Sequence, residues 1–190
     1  KAIVFDLHGT DYFFHAFHYP DFHYLSSFGK RGDAPEEMLS AENLRWNGNF
    51  LWTLDSNKSE LTRLGFASSG DSLLRLEAVS LDEELLRALD FVQYDDSTFI
   101  IPDYSGDSRF CLVSRQGKLL RKIGTIPTTN EDALKSARPA LAQAWRSFID
   151  YNPHNGILVA ATQLGEVLEI YNLKDSTHLA CIGPNGEPEF

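Results

Sequence analysis

"FHAFHYPDFHYLSSFG" (residues 14–29) reads as strand, turn, strand and closing glycine, and the same order returns three times. "LWTLDSNKSELTRLG" (51–65), "FCLVSRQGKLLRKIG" (110–124) and "LEIYNLKDSTHLACIG" (168–183) each lead from aromatic and aliphatic residues through a polar turn into a second strand. Aromatic and branched side chains suit a half-buried pleated surface. Pro20-Asp21, Asp55–Lys58, Gln116-Gly117 and Lys174-Asp175 supply the turn chemistry between them. The closing glycines Gly29, Gly65, Gly124 and Gly183 stand 36, 59 and 59 residues apart. Meander units of ~40–50 residues, two of them lengthened by an insertion, give such spacings. The repeat therefore predicts an all-β chain, a β-propeller of four-stranded antiparallel blades of which about four are visible. The expected blades are 1–30, 41–66, 87–124 and 145–183, with 184–190 leading into the next.

Two insertions between blades read as short helices. Ser80-Leu-Asp-Glu83 is a capping box, followed by Leu85, Leu86 and Leu89 at helical spacing. Asn130–Phe148 is alanine-rich and predicts one or two short helices broken at Pro139.

The exit from the first hairpin, "GKRGDAPEEM" (29–38), contains Arg31-Gly32-Asp33, a tripeptide that adhesion receptors read. It matches the C-terminal "GPNGEPEF" (183–190): Gly-x-x-Gly, an acidic residue, then Pro-Glu. One loop used twice after the same kind of strand explains the glycines and proline without a receptor.

"YPDFHYLSSFGKRGDAPEE", "LWTLDSN" and "KIGTIP" resemble the TolB-like six-bladed β-propellers of bacterial cell envelopes over most of the chain. Those proteins carry a similar aromatic hairpin, a G-x-x-G-x-x-P-x-E-like loop and a similar strand end. Ala34 departs from the loop pattern, where the family often has Gly. The resemblance implies an exported protein, periplasmic or anchored at the outer membrane, often by a lipid attached upstream. It also implies a ring of six blades. The chain begins at Lys1, just ahead of a strand, so upstream sequence is expected, and two further blades are expected beyond the segment. The motifs are structural, so the expectation is a non-catalytic binding or scaffold protein without a cofactor. Its partner would be a protein, peptide or glycan at the rim or funnel.

An enzyme reading stands beside this one. "KAIVFDLHGT" resembles the haloacid-dehalogenase phosphatase signature with Asp6 as nucleophile, and "DSNK" (55–58) and "SGDS" (105–108) resemble its later motifs. Position 8 is His rather than the second aspartate, and no carboxylate near Cys111 stands ready to share Mg²⁺ with Asp107. The chain after Thr10 reads as a hairpin, where that fold requires a loop and helix.

The remaining chemistry is sparse. His18 and His23 face each other if Pro20-Asp21 is a two-residue turn, while His15 points to the opposite strand face. Two imidazoles alone make no metal site, and no metal is expected. Calcium is not expected either: the carboxylates at Asp95, Asp96, Asp103 and Asp107 form no ordered ligand ladder. Candidate partner-binding residues are Arg31, Asp33, Trp46, His18 and His23, with Trp46 placed to stack beside the Asn47-Gly48 turn. Cys111 and Cys181 form no CxxC and read as small buried hydrophobes, a disulfide being the alternative. The formal charge of −10 disfavours nucleic acid, and no apolar run reaches the ~20 residues of a membrane helix.

Overall fold

A computed structural model describes residues 1–48, 50–70 and 72–189, in two compact units, 1–81 and 82–190. The first unit opens with β1 (Ala2–Phe5), β2 (Tyr12–Phe17) and β3 (Tyr24–Lys30), paired antiparallel in that order. A second sheet follows: β4 (Ala41–Asn47), β5 (Phe50–Asp55), β6 (Glu60–Phe66) and β7 (Leu73–Ser80). The two share one core. Phe14 stacks on Phe28 with ring centroids 5.1 Å apart, and both join Ala16, Ala41, Leu51 and Leu64 in a buried cluster. Phe13 is also buried, under the Arg31 guanidinium at 3.6 Å, so β2 is covered on both faces.

The second unit holds two further meanders. One is β8 (Val92–Asp95), β9 (Thr98–Pro102), β10 (Phe110–Ser114) and β11 (Leu119–Ile123). The other is β12 (Ser147–Asn152), β13 (Ile157–Thr162), β14 (Val167–Asn172) and β15 (Thr177–Ile182). Val92, Ile100 and Phe110 meet Ile149, Leu158, Ala160 and Tyr171 in a core drawn from both sheets. Successive antiparallel meanders packed in this way are the blades of a β-propeller. The chain is all-β with four of them, three described with four strands and the first with three.

Between β11 and β15's sheet lie α1 (Glu131–Ser136) and α2 (Arg138–Ala144). Asn130 Oδ1 accepts from the Ala133 N–H at 3.0 Å and starts α1; the break falls at Ala137, with Pro139 in the first turn of α2. Pro lacks an N–H that this turn leaves unbonded in any case, so it starts a helix where it would break an interior. Leu141, Trp145 and Ala133 close a satellite core with Leu89, Tyr104 and Val167.

Four expectations need correction. Residues 81–91 form turns and no helix. Asp82 does initiate a turn, bonding the Glu84 N–H, but Arg87 takes a positive φ of 47° and stops propagation. Burying Leu85, Ala88, Leu89 and Phe91 outweighs a helix too short to repay its nucleus. Gly65 lies inside the third strand of its sheet, and the sheet runs on to Ser80, past the expected boundary at 66. Cys181 is exposed; only Cys111 is buried, and burial pushes its thiol up to about 12. Finally, the β2–β3 turn is wider than Pro20-Asp21: it closes through His18 N–H to His23 O and Phe22 N–H to His18 O, both 2.9 Å.

Candidate functional site

Strand register gathers several of the first unit's loops at one end. Ala2 pairs with Phe17 and Phe17 with Tyr24, which sets Lys1 beside the 18–23 turn. In the second sheet Asn47 pairs with Phe50, Phe50 with Gly65 and Phe66 with Leu73, so those strand ends coincide too. Lys1 Nζ stands 4.2 Å over the Phe66 ring, which makes these the same end of the unit.

An aromatic shelf lies there. The Trp46 indole is 51 % exposed and stacks on Phe66, centroids 5.9 Å apart and planes at 25°. Beside it is an open cavity of about 510 Å³ lined by Lys1, Trp46, Phe50, Gly65, Phe66 and Leu76. Arg63 covers Phe50 from 4.7 Å, and Gly65 leaves its floor open because it carries no side chain. Trp52 and Trp145 are buried in the two units' cores, so only Trp46 of the three tryptophans can meet a ligand. The shelf offers flat apolar surface bordered by a cation, which suits a ring or apolar side chain flanked by hydrogen-bonding groups.

The 18–23 turn carries the histidines. His18 Nδ1 lies 2.5 Å from Asp21 Oδ1, His23 Nδ1 lies 3.1 Å from Asp21 Oδ2, and the two rings stack at 4.8 Å. Hydrogen bonds from His18, then His23, hold the Asp21 carboxyl down at about 2. The sequence points to the two imidazoles facing each other. It misses Asp21 as the group that joins them, because Pro20-Asp21 explains itself as turn chemistry. His15 turns away to Ser27 Oγ at 2.8 Å.

Arg31 and Asp33 sit at the opposite end of β3. Arg31 donates to the Leu7 carbonyl at 2.6 Å and to that of Asp6 at 3.2 Å, while Asp33 is exposed. Lys58 Nζ donates to the Ala34 and Glu37 carbonyls at 2.6 Å each, and Lys30 pairs with Glu37 at 2.5 Å. Gly32 takes φ +150°, which L side chains rarely adopt, and a Cβ there would displace the Glu37 carboxylate, 1.9 Å away, so this closure favours glycine. The matching C-terminal loop closes on different partners. Gly183 N–H and Gly186 O bond Glu166, and Glu187 accepts from Thr128 Oγ1 at 2.5 Å.

The carboxylates of the phosphatase reading are engaged in turns and ion pairs. Asp6 accepts from the Gly9 N–H at 2.7 Å, just past the end of a β1 that pairs antiparallel with β2 and belongs to no parallel, helix-flanked sheet. Asp55 is buried and accepts from the backbone of Leu39, Asn57 and Lys58, and Asp107 pairs with Lys122 and Arg138 at 3.1 Å each.

Comparison with solved structures gives the same fold at low identity. A functionally unknown protein of Desulfotomaculum acetoxidans superposes with a TM-score of 0.51 at 12% identity, over 88% of this chain and 47% of that one. A protein of Lactobacillus plantarum gives 0.51 at 13% identity, over 93% of this chain and 50% of that one. The chain thus spans about half the length of each. No curated protein matches it in sequence. The family described as TolB-like 6-blade propeller-like matches residues 1–190, from end to end, and the chain belongs to it.

Proposed function

We propose that this chain is part of a non-catalytic binding or scaffold propeller of the bacterial cell envelope, with its partner received on the Trp46 shelf. The observation that carries the reading is the half-exposed indole, stacked on Phe66 over an open cavity of about 510 Å³. An aromatic platform of this kind, left uncovered, is how proteins hold a glycan ring or an apolar peptide side chain. The family supports an exported address, in the periplasm or anchored at the outer membrane. Among the described residues no helix is long and apolar enough to cross a membrane. Each carboxylate of the rival phosphatase motif already has a structural task.

Tryptophan emission tests the reading, since only Trp46 faces solvent. Titration with peptidoglycan-derived oligosaccharides in one arm, and with peptides from envelope proteins in another, should shift the emission to the blue and saturate in one arm. The Trp46→Ala variant, folded by circular dichroism, should lose that binding when the same ligand is titrated calorimetrically. Binding that survives the substitution would remove the shelf from the function. Recovery of the full-length protein in the cytosolic fraction of its source cells would overturn the address.

A further inference from the structure

We propose that the β2–β3 tip is a binding site for a borderline divalent transition ion of the Zn²⁺ or Ni²⁺ kind, held by His18, Asp21 and His23. The three donor atoms lie within 4.8 Å of one another and come from one six-residue turn. Asp21 gathers the set: one carboxylate oxygen meets each Nδ1, at 2.5 and 3.1 Å. Metal–ligand bonds of about 2.0–2.2 Å place the donors of a tetrahedral ion about 3.3 Å apart. Small rotations of exposed side chains reach that spacing, because the ion takes the central place that hydrogen-bonded protons otherwise fill. The backbone holds the turn while they move, through the His18–His23 and Phe22–His18 hydrogen bonds, both 2.9 Å.

The donor chemistry selects the ion. Two imidazoles and one carboxylate suit Zn²⁺, Ni²⁺ or Cu²⁺; Ca²⁺ and Mg²⁺ ask for oxygen cages of six or more ligands. Three protein ligands leave at least one coordination position to water or to an incoming group. All three residues are exposed, so the ion exchanges with solvent and its open position faces outward. The inference stands apart from the Trp46 shelf and does not depend on what the shelf binds.

The test is calorimetric titration of the EDTA-treated chain with ZnSO₄, and separately with CaCl₂. One equivalent of Zn²⁺ should bind and Ca²⁺ should not. Loss of even a supporting partner typically weakens a metal site by about ten- to a hundredfold, so His18→Ala, His23→Ala and Asp21→Asn should each cost at least about tenfold. His154→Ala, an exposed histidine on the other unit, should change nothing. Substoichiometric Ni²⁺ should broaden the imidazole resonances of His18 and His23 before those of the other four histidines. No saturable Zn²⁺ binding, or binding that survives any of the three substitutions, overturns the site. So does broadening that starts at another histidine.

Discussion

Arg109 and Glu169 form a buried ion pair in the second unit, 2 % and 0 % exposed, and they join its two blades. Arg109 Nε and a terminal nitrogen reach the same Glu169 oxygen at 2.8 and 2.6 Å, and that nitrogen also donates to Ser147 Oγ at 2.6 Å. The other carboxylate oxygen accepts from the Tyr171 hydroxyl at 2.6 Å. Burial first, and then the adjacent carboxylate, push that hydroxyl far above its ordinary value, so it remains a donor at any physiological pH. Removing one member strands a desolvated charge. Arg109→Ala should therefore cost about 3–5 kcal/mol in urea denaturation, whereas Arg109→Met with Glu169→Leu should recover most of that loss. A double variant no better than the single one would show that the pair contributes net stability beyond satisfying itself. The partners are sixty positions apart, and no sequence pattern matches them to each other. Half the signal was nonetheless available, because Glu169 is in phase with the buried Val167 and Tyr171 along β14.

At the level of elements, the hairpins were legible and the strand count within a blade was not. Turn chemistry and alternation are local, so the strand–turn–strand units at 51–65, 110–124 and 168–183 stand in the structure nearly as the residues suggest. A glycine ending such a unit carries no label for which strand it ends. Gly124 follows the fourth strand of its sheet and takes φ +65°, and Gly29 in β3 takes φ +64°. Gly65, equated with them by sequence, lies in a third strand outside the left-handed region. The difference is measurable. A Cβ on Gly29 would stand 2.8 Å from the Phe14 ring in a conformation that L residues resist, and the strain alone is of order 1–3 kcal/mol. A Cβ on Gly65 would press, at 2.7 Å, on the Leu76 Cδ1 methyl, the free end of a half-exposed side chain, and would meet Leu76 Cγ and Phe50 Cδ1 at 3.4 and 3.7 Å. Thermal melts should show Gly29→Ala strongly destabilised and Gly65→Ala close to the parent. Equal losses would mean that the two glycines do the same work after all. The insertion at 81–91 teaches a related limit: a capping box announces a first turn, and only tertiary burial decides whether a second one follows.

Across the whole molecule, charge sets the working range. Carboxyls held below their ordinary values occur in both units: Asp21 and Glu37 in the first, Asp95, Asp103, Asp107 and Asp175 in the second. For Asp103, burial pushes upward, but hydrogen bonds from Ser105 and Ser108 and the Lys122 ammonium outweigh it. A carboxyl with a depressed folded-state value binds its proton more readily in the unfolded chain. Its stabilisation is full above the unfolded value and is lost as pH falls through the folded one. Opposing this, the net charge of −10 repels itself at neutral pH, and the repulsion fades toward the pI of about 5.0. Relief of repulsion dominates first, because none of these carboxyls takes up protons until the pH approaches the ordinary carboxylate range. The melting temperature should accordingly rise or hold from pH 8 to about 5 and then fall steeply below about 4, where the unfolded carboxyls begin to take up protons. Added salt should flatten the neutral limb more than the acid one, since exposed repulsion is screened and the buried Asp103 is screened less. Asp103→Asn should blunt the acid limb. A melting temperature that keeps rising down to pH 3 would mean that the carboxyl hydrogen bonds contribute little, and that self-repulsion alone limits this fold.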